Sequence, residues 1–179
     1  EESGFRCMDR YFAKEAMPQM GFAPDADFPI INAEKGIASL IFTQTGSADT
    51  ETIQFFQAGN RTNMVPDEAF AVIFGGLHMI KEKFQTFAAE FNAEGEVTQE
   101  GPMVKVLVFG KSAHAMEPDD GINAGILLAK FLQNINLTPH SKAFVNFLVN
   151  SFGEDSRGHG LALNFTDELS GDTTLNPGV

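Results

Sequence analysis

The sequence predicts an α+β domain in which an antiparallel sheet carries helices on one face. Three observations lead there. Short β-branched and apolar stretches alternate with turn formers, as in the run Met103–Phe109 that follows Glu100-Gly101. Leu77, Ile80, Phe84, Phe87 and Phe91 recur at helical spacing. Strand-like and helix-like segments interleave with no internal repeat and no low-complexity tract.

Each element has its own reason. A helix is expected over residues 5–15, with Met8, Tyr11 and Phe12 on a shared face and Pro18 ending it. Residues 21–29, with Gly21, Pro24, Pro29 and two Asp, are loop or edge. From Gly36 the texture becomes β: residues 37–43 form one strand, 46–49 a polar turn and 52–57 the next strand. Residues 61–66 are a connection. Residues 70–74 fit a strand or a helical turn, since a short apolar run does not separate the two. Gly75-Gly76 punctuates, and the helix carrying the Phe stripe runs to Gly95 with its stripe in the core. Residues 96–99 and 102–109 make a hairpin. A helix over 118–134 has Pro118 in its first turn, Asp119 and Asp120 at the positive end of its dipole, and Ile122, Ile126, Ala129 and Leu132 on one face. Pro139 breaks the chain before a helix over 142–152 with Val145, Leu148 and Val149. Residues 153–160 form a polar loop, and 161–165 and 173–175 are strand candidates.

Bulk properties narrow the function. At 179 residues the chain has room for one domain, or one domain and a piece of another. Apolar content of 43% with 18 Phe supports a real core and argues against disorder. A net charge of −12 opposes binding to nucleic acid or an anionic membrane, both of which need a cationic surface. No apolar run reaches the roughly 20 residues of a membrane span, and no signal peptide is visible. The lone Cys7 has no internal disulfide partner, which fits a reducing, cytoplasmic compartment, and reads as a half-buried apolar residue. The start at Glu1 without Met and the stop at Val179 after residues 173–175 suggest that both ends are cut.

The candidate chemistry centres on Gly110-Lys111-Ser112-Ala113-His114-Ala115, between the Met103–Phe109 strand and the helix expected after it. A histidine on a loop is by itself most often a solvated side chain, yet small neighbours here leave room to approach its ring. Asn63 in Asn-Met-Val-Pro reads equally as a turn residue or a polar contact. Asp25 reads as a turn cap, and the pair Glu1-Glu2 as a solvated terminus. His78, His140 and His159 lie near no motif and are expected at the surface.

The run Gly-Lys-Ser-Ala-His-Ala-x-x-Pro-x-x-Gly-x-Asn-Ala, residues 110–124, resembles the lid signature of the two-zinc aminopeptidase/aminoacylase/carboxypeptidase superfamily. Gly21-Phe22-Ala23-Pro24-Asp25-Ala26-Asp27-Phe28-Pro29, followed by Ala33-Glu34-Lys35-Gly36, is similar to its dipeptidase V branch of Xaa-His, carnosinase-like dipeptidases. The likeness runs from Glu1 to Leu175-Asn176-Pro177-Gly178. It implies a ferredoxin-like lid over residues 36–179 and a remnant of a catalytic domain over residues 1–35. It also implies a parent that hydrolyses short peptides with water activated by two zinc ions. In that scheme Glu1 is the general base, Glu2 and Asp25 are zinc ligands (Asp27 aligns less well), and His114 stabilises the oxyanion. Asn63 contacts substrate. A zinc pair also needs an upstream His-x-Asp, a bridging Asp and a further His, none of which this sequence contains as a motif. The later arginine contact of the family is missing as well. The expectation is a fragment inactive alone, with a dipeptide as the parent's substrate and self-association through the lid as a further partner. The competing readings are an N-acyl amino-acid hydrolase lid, or a noncatalytic dimerisation or interaction module.

Overall fold

The computed structural model describes residues 6–22, 29–43, 51–153 and 155–179. The chain divides into two compact units, Glu1–Lys35 and Gly36–Val179. In the first, α1 (Arg6–Phe12) is short and buries none of its residues. Met8 and Tyr11 are about half exposed there, and Cys7 is exposed, not half-buried.

In the second unit four strands make an antiparallel sheet in the order β1-β2-β4-β3. They are β1 (Ile53–Ala58), β2 (Glu68–Ile73), β3 (Glu94–Glu100) and β4 (Met103–Phe109). The helix α2 (Leu77–Phe91) links β2 to β3, and α3 (Ala124–Leu132) and α4 (Pro139–Phe152) follow β4. Because β2 and β3 both run antiparallel to β4, they are parallel to each other with β4 between them. This is the split β-α-β of a ferredoxin-like sheet, with the remaining edge strand supplied before the unit instead of after it.

Alternation decides which face is buried. Ala69, Ala71 and Ile73 of β2, and Val104, Val106 and Val108 of β4, point to one side and are essentially inaccessible to solvent. Ile80, Phe84 and Phe87 of α2 and Leu128, Phe131 and Leu132 of α3 close over them in one cluster. Gly95 lets α2 approach β3, because a Cβ there would strike the Leu107 carbonyl and the Phe84 ring. On the other sheet face Val72 is buried and Phe55 is about half exposed. That face carries Phe55 stacked on Phe70, with the Lys105 ammonium 4.2 Å from the Phe70 ring centre.

The helix Leu77–Phe91 and the Glu100-Gly101 hairpin stand as the periodicity predicts, and the ambiguous run 70–74 belongs, up to Ile73, to strand β2. Other expectations are corrected. Residues 37–43 form no strand, and Ile37 and Ile41 are 98% and 91% exposed; strand composition alone does not make a strand. The helix at Leu77 is closed by Asn92 in the left-handed conformation, its N–H bonded to the Ala88 carbonyl, and Gly95 belongs to β3. No continuous helix spans 118–134. A single 3₁₀ turn, Pro118–Asp120, precedes an extended Gly121-Ile122, and α3 starts only after Asn123. Pro139 begins α4 at its first position and does not break the chain before it. Residues 161–165 and 173–175 are not strands. The last pair is β5 (Thr166–Asp167) with β6 (Gly171–Asp172). The turn expected at residues 46–49 lies outside the described residues. Among the described residues, no helix is long and apolar enough to cross a membrane.

The start of α4 is tied to the start of β1 by side chains far apart in sequence. The Ser141 N–H and hydroxyl donate to the Glu51 carboxylate at 3.0 and 2.9 Å, and the Thr138 hydroxyl donates to the same oxygen. The amides of Thr52 and Thr138 each donate to the other's hydroxyl, at 3.0 and 2.9 Å. Glu51 thus accepts the N–H of the third residue of α4, the job an N-cap side chain at Thr138 would otherwise do, from 90 residues away. These bonds, the Thr138 one foremost, hold its carboxyl below the ordinary range.

Candidate functional site

Beyond β2 and β4, the two central strands, the chain continues as a second short ribbon. The Gly110 N–H donates to the Asp67 carbonyl at 2.8 Å, next to the last ladder pair, Glu68 with Phe109. Further out, Met64 faces His114. The Val65 N–H donates to the Ala113 carbonyl at 2.8 Å and the Ala115 N–H to the Asn63 carbonyl at 2.9 Å. From Glu68 to Met64 is four steps (68 − 64) and from Phe109 to His114 is five (114 − 109), so the histidine strand carries one extra residue. That bulge falls opposite Pro66, which has no N–H to give. Lys111, freed from Pro66, pairs instead with Ile122 through two bonds of 2.9 Å.

Asn63 and His114 are therefore brought to the same end of the sheet, one residue out of register on facing strands, and both are exposed. The His114 carbonyl accepts the Glu117 N–H at 3.0 Å, closing a turn. Its Nδ1 accepts the Met116 N–H at 3.2 Å. A neutral imidazole that accepts at Nδ1 carries its proton on Nε2, so the ring has one N–H left as donor.

Two residues that the sequence reading passed over support this ribbon. Asn176 Nδ2 donates to the Met64 carbonyl at 2.8 Å. Asn123 caps α3 by accepting the Ile126 N–H at 3.1 Å, and its Nδ2 donates to the Pro177 carbonyl at 3.0 Å and to Asn176 Oδ1 at 3.4 Å. The signal for Asn123 was present, an Asn directly before an apolar helical run, but Pro118 offered an earlier start. Asn176 had no such signal. Both line an open cavity of about 330 Å³, together with Asp119, Lys130 and Ser156. Arg157 closes on Asp119 at 2.6 Å, and Asp119 is held below the ordinary carboxyl range first by the Ser156 hydroxyl and then by Arg157. Asp155 organises the same loop. Desolvation opposes its ionisation, yet the Gly160 and Arg157 amides and His159 hold it well below the usual range.

The remaining candidates divide. Glu1, Glu2, Asp25 and Asp27 lie outside the described residues. His78, His140 and His159 are exposed, His78 beside Glu82 at 3.4 Å and His159 beside Asp155 at 3.1 Å. Among the described residues, no three His, Cys, Asp or Glu side chains come together in a way that could hold a metal ion.

Fold and ribbon together define an α+β domain that presents a histidine and an asparagine from the ends of its two central strands. No protein-family model matches the chain. It is similar along its whole length to curated proteins named as dipeptidases. "Putative dipeptidase YtjP" of Bacillus subtilis is 47% identical over 184 residues, which is 100% of this chain and 40% of the relative. "Putative dipeptidase" of Staphylococcus epidermidis is 38% identical over 187 residues, and "Putative dipeptidase SSP1012" of Staphylococcus saprophyticus 37% over 186, with the same coverage of 100% and 40%. The chain spans about 40% of the length of these relatives.

Proposed function

We propose that this chain is the lid region, residues 36–179, with a short catalytic-domain remnant, residues 1–35, of a cytoplasmic dipeptidase that cleaves short peptides bearing a free amino end. The observation that carries it is the pairing of the His114 and Asn63 strands, which brings both exposed residues to one end of the sheet on hydrogen-bonded backbone. The names of the relatives favour a dipeptidase over an N-acyl amino-acid hydrolase. In this reading the His114 Nε2–H binds the carbonyl oxygen as negative charge develops on it, and Asn63 binds the substrate's polar backbone. Such a donor strengthens as the oxygen gains charge, so it lowers the barrier without tightening the ground state equally.

The zinc pair belongs to the proposal through Glu2 and Asp25, with Glu1 as the general base; activation of the attacking water is the chemistry those ions would supply. Two carboxylates are too few to hold such a pair, so the fragment is proposed to be inactive alone. The test is His114→Ala in the full-length protein, assayed on a dipeptide. Loss of an oxyanion donor lowers kcat on the order of 10²–10³-fold. A folded mutant with unchanged metal content and wild-type turnover would remove His114 from the reaction.

A further inference from the structure

The ribbon that carries His114 is held from behind by a side-chain relay. We infer that Asn176, backed by Asn123, is a positioning residue that sets the orientation and tautomer of His114; this rests on the reading of His114 as an oxyanion donor. On a two-stranded ribbon, alternate residues face the partner strand and the outside. Asn63 and Val65 spend their carbonyl and amide on the His114 strand, so the Met64 carbonyl faces away from it. Met64 is only half-exposed, and Asn176 Nδ2 supplies the bond its carbonyl would otherwise lack. Asn176 is kept in place by Asn123, and Asn123 by the first turn of α3.

Each amide in the relay has a distinct job. Asn123 Oδ1 caps the helix while its Nδ2 reaches the C-terminal segment at Asn176 and Pro177. A carboxylate at position 123 would keep the cap and lose the reach. One at position 176 would turn an acceptor toward the Met64 carbonyl, where a donor now stands. With Met64 released, the bonds between Val65 and Ala113 and between Ala115 and Asn63 lose their support. The turn that brings the Met116 N–H to His114 Nδ1 then loosens, and with it the reason for the proton to reside on Nε2.

The experiment uses the ¹⁵N-labelled 179-residue chain, observed with its histidines neutral. In the wild type, long-range ¹⁵N–¹H spectra should show His114 as a single Nε2–H tautomer, and the Val65 and Ala115 amides should be protected from exchange. Asn176→Asp should speed exchange at both amides by about tenfold, the equivalent of one lost hydrogen bond, and mix the tautomers of His114. Asn123→Asp should give the same shift in smaller measure while the Ile126 amide stays protected. A purely structural role would lower the melting temperature without changing the tautomer. An Nδ1–H tautomer in the wild type, or variants whose ribbon exchange and tautomer match the wild type, would overturn the proposal. If Asn176→Asp does not fold, the wild-type spectrum and Asn123→Asp decide it. None of these readouts depends on peptidase activity, so an inactive full-length protein would sink the dipeptidase reading and leave this result standing.

Discussion

Phe84 of α2 and Phe131 of α3 meet edge to face with their ring centres 5.1 Å apart, and this contact fixes both helices to the same side of the sheet. Phe131 also meets Phe87, at 5.5 Å, and is fully buried. Truncating it leaves a cavity bounded by two helices and a sheet that are already pinned to one another. Phe131→Ala should therefore destabilise the domain by about 3–5 kcal/mol in denaturant titration. Phe131→Leu should cost clearly less.

Removing His114 should do the opposite. The side chain is exposed, so His114→Ala should leave the midpoint of unfolding within about 0.5 kcal/mol of wild type. In the full-length protein, kcat and kcat/KM should fall together if the donor acts only in the transition state. A fall in melting temperature with normal turnover in the folded fraction would mark a structural histidine instead.

Glu51 gives the domain an acid-sensitive seam. Its carboxyl is held below the ordinary value of 4.5 in the folded chain, chiefly by the Thr138 hydroxyl, with Ser141 and His140 adding to it. A depressed carboxyl stabilises the fold above its unfolded value, and that stabilisation is lost as pH falls through the folded value. The melting temperature of the wild type should thus decline on acidification below about 4.5, and Glu51→Gln should flatten that part of the curve. Equal slopes for the two would deny Glu51 its part in capping α4.

Gly110 stands where the ribbon leaves the sheet. A Cβ there would strike the Ile122 carbonyl and sit 2.9 Å from the Ala124 amide, both backbone, so neither can swing aside. Gly110→Ala should cost on the order of 1–3 kcal/mol and deprotect the Lys111 and Ile122 amides. Protection unchanged at both would mean that the loop absorbs the methyl elsewhere.

Calorimetry of the 179-residue chain with zinc should show weak binding, since Glu2 and Asp25 are the only ligands proposed for it and neither is an imidazole. Tight stoichiometric uptake would require a site that the proposal does not contain, with His78, His140 or His159 as its first candidates.

What the sequence disclosed follows from where the decisive forces act. The helix Leu77–Phe91 was legible because its Phe stripe states both its period and its buried face. The hairpin at Gly101 was legible because its turn and its alternation are local. Residues 37–43 have the composition of a strand, but a strand exists only when another edge receives it. Pro118 with two aspartates imitates a helix start, and only the pairing of Lys111 with Ile122 shows why the helix waits for Asn123. At the candidate site, the loop position of His114 and the turn chemistry of Asn63 could be seen. Their adjacency depends on β2 and β4 being neighbours. The Glu51 clamp and the Asn176 relay join residues 90 and 112 positions apart, distances at which a single sequence carries no pairing signal.

The bulge at Pro66 has a mechanical consequence. Asn63 and His114 are not carried on loops that swing independently, because their backbones are stitched together directly beyond the two innermost strands. Fast excursions of one side chain's backbone relative to the other would have to break that stitching, an event on the timescale of local unfolding and not of loop motion. Whatever opens or closes around this pair must move as a solid body, with the hinge outside the sheet.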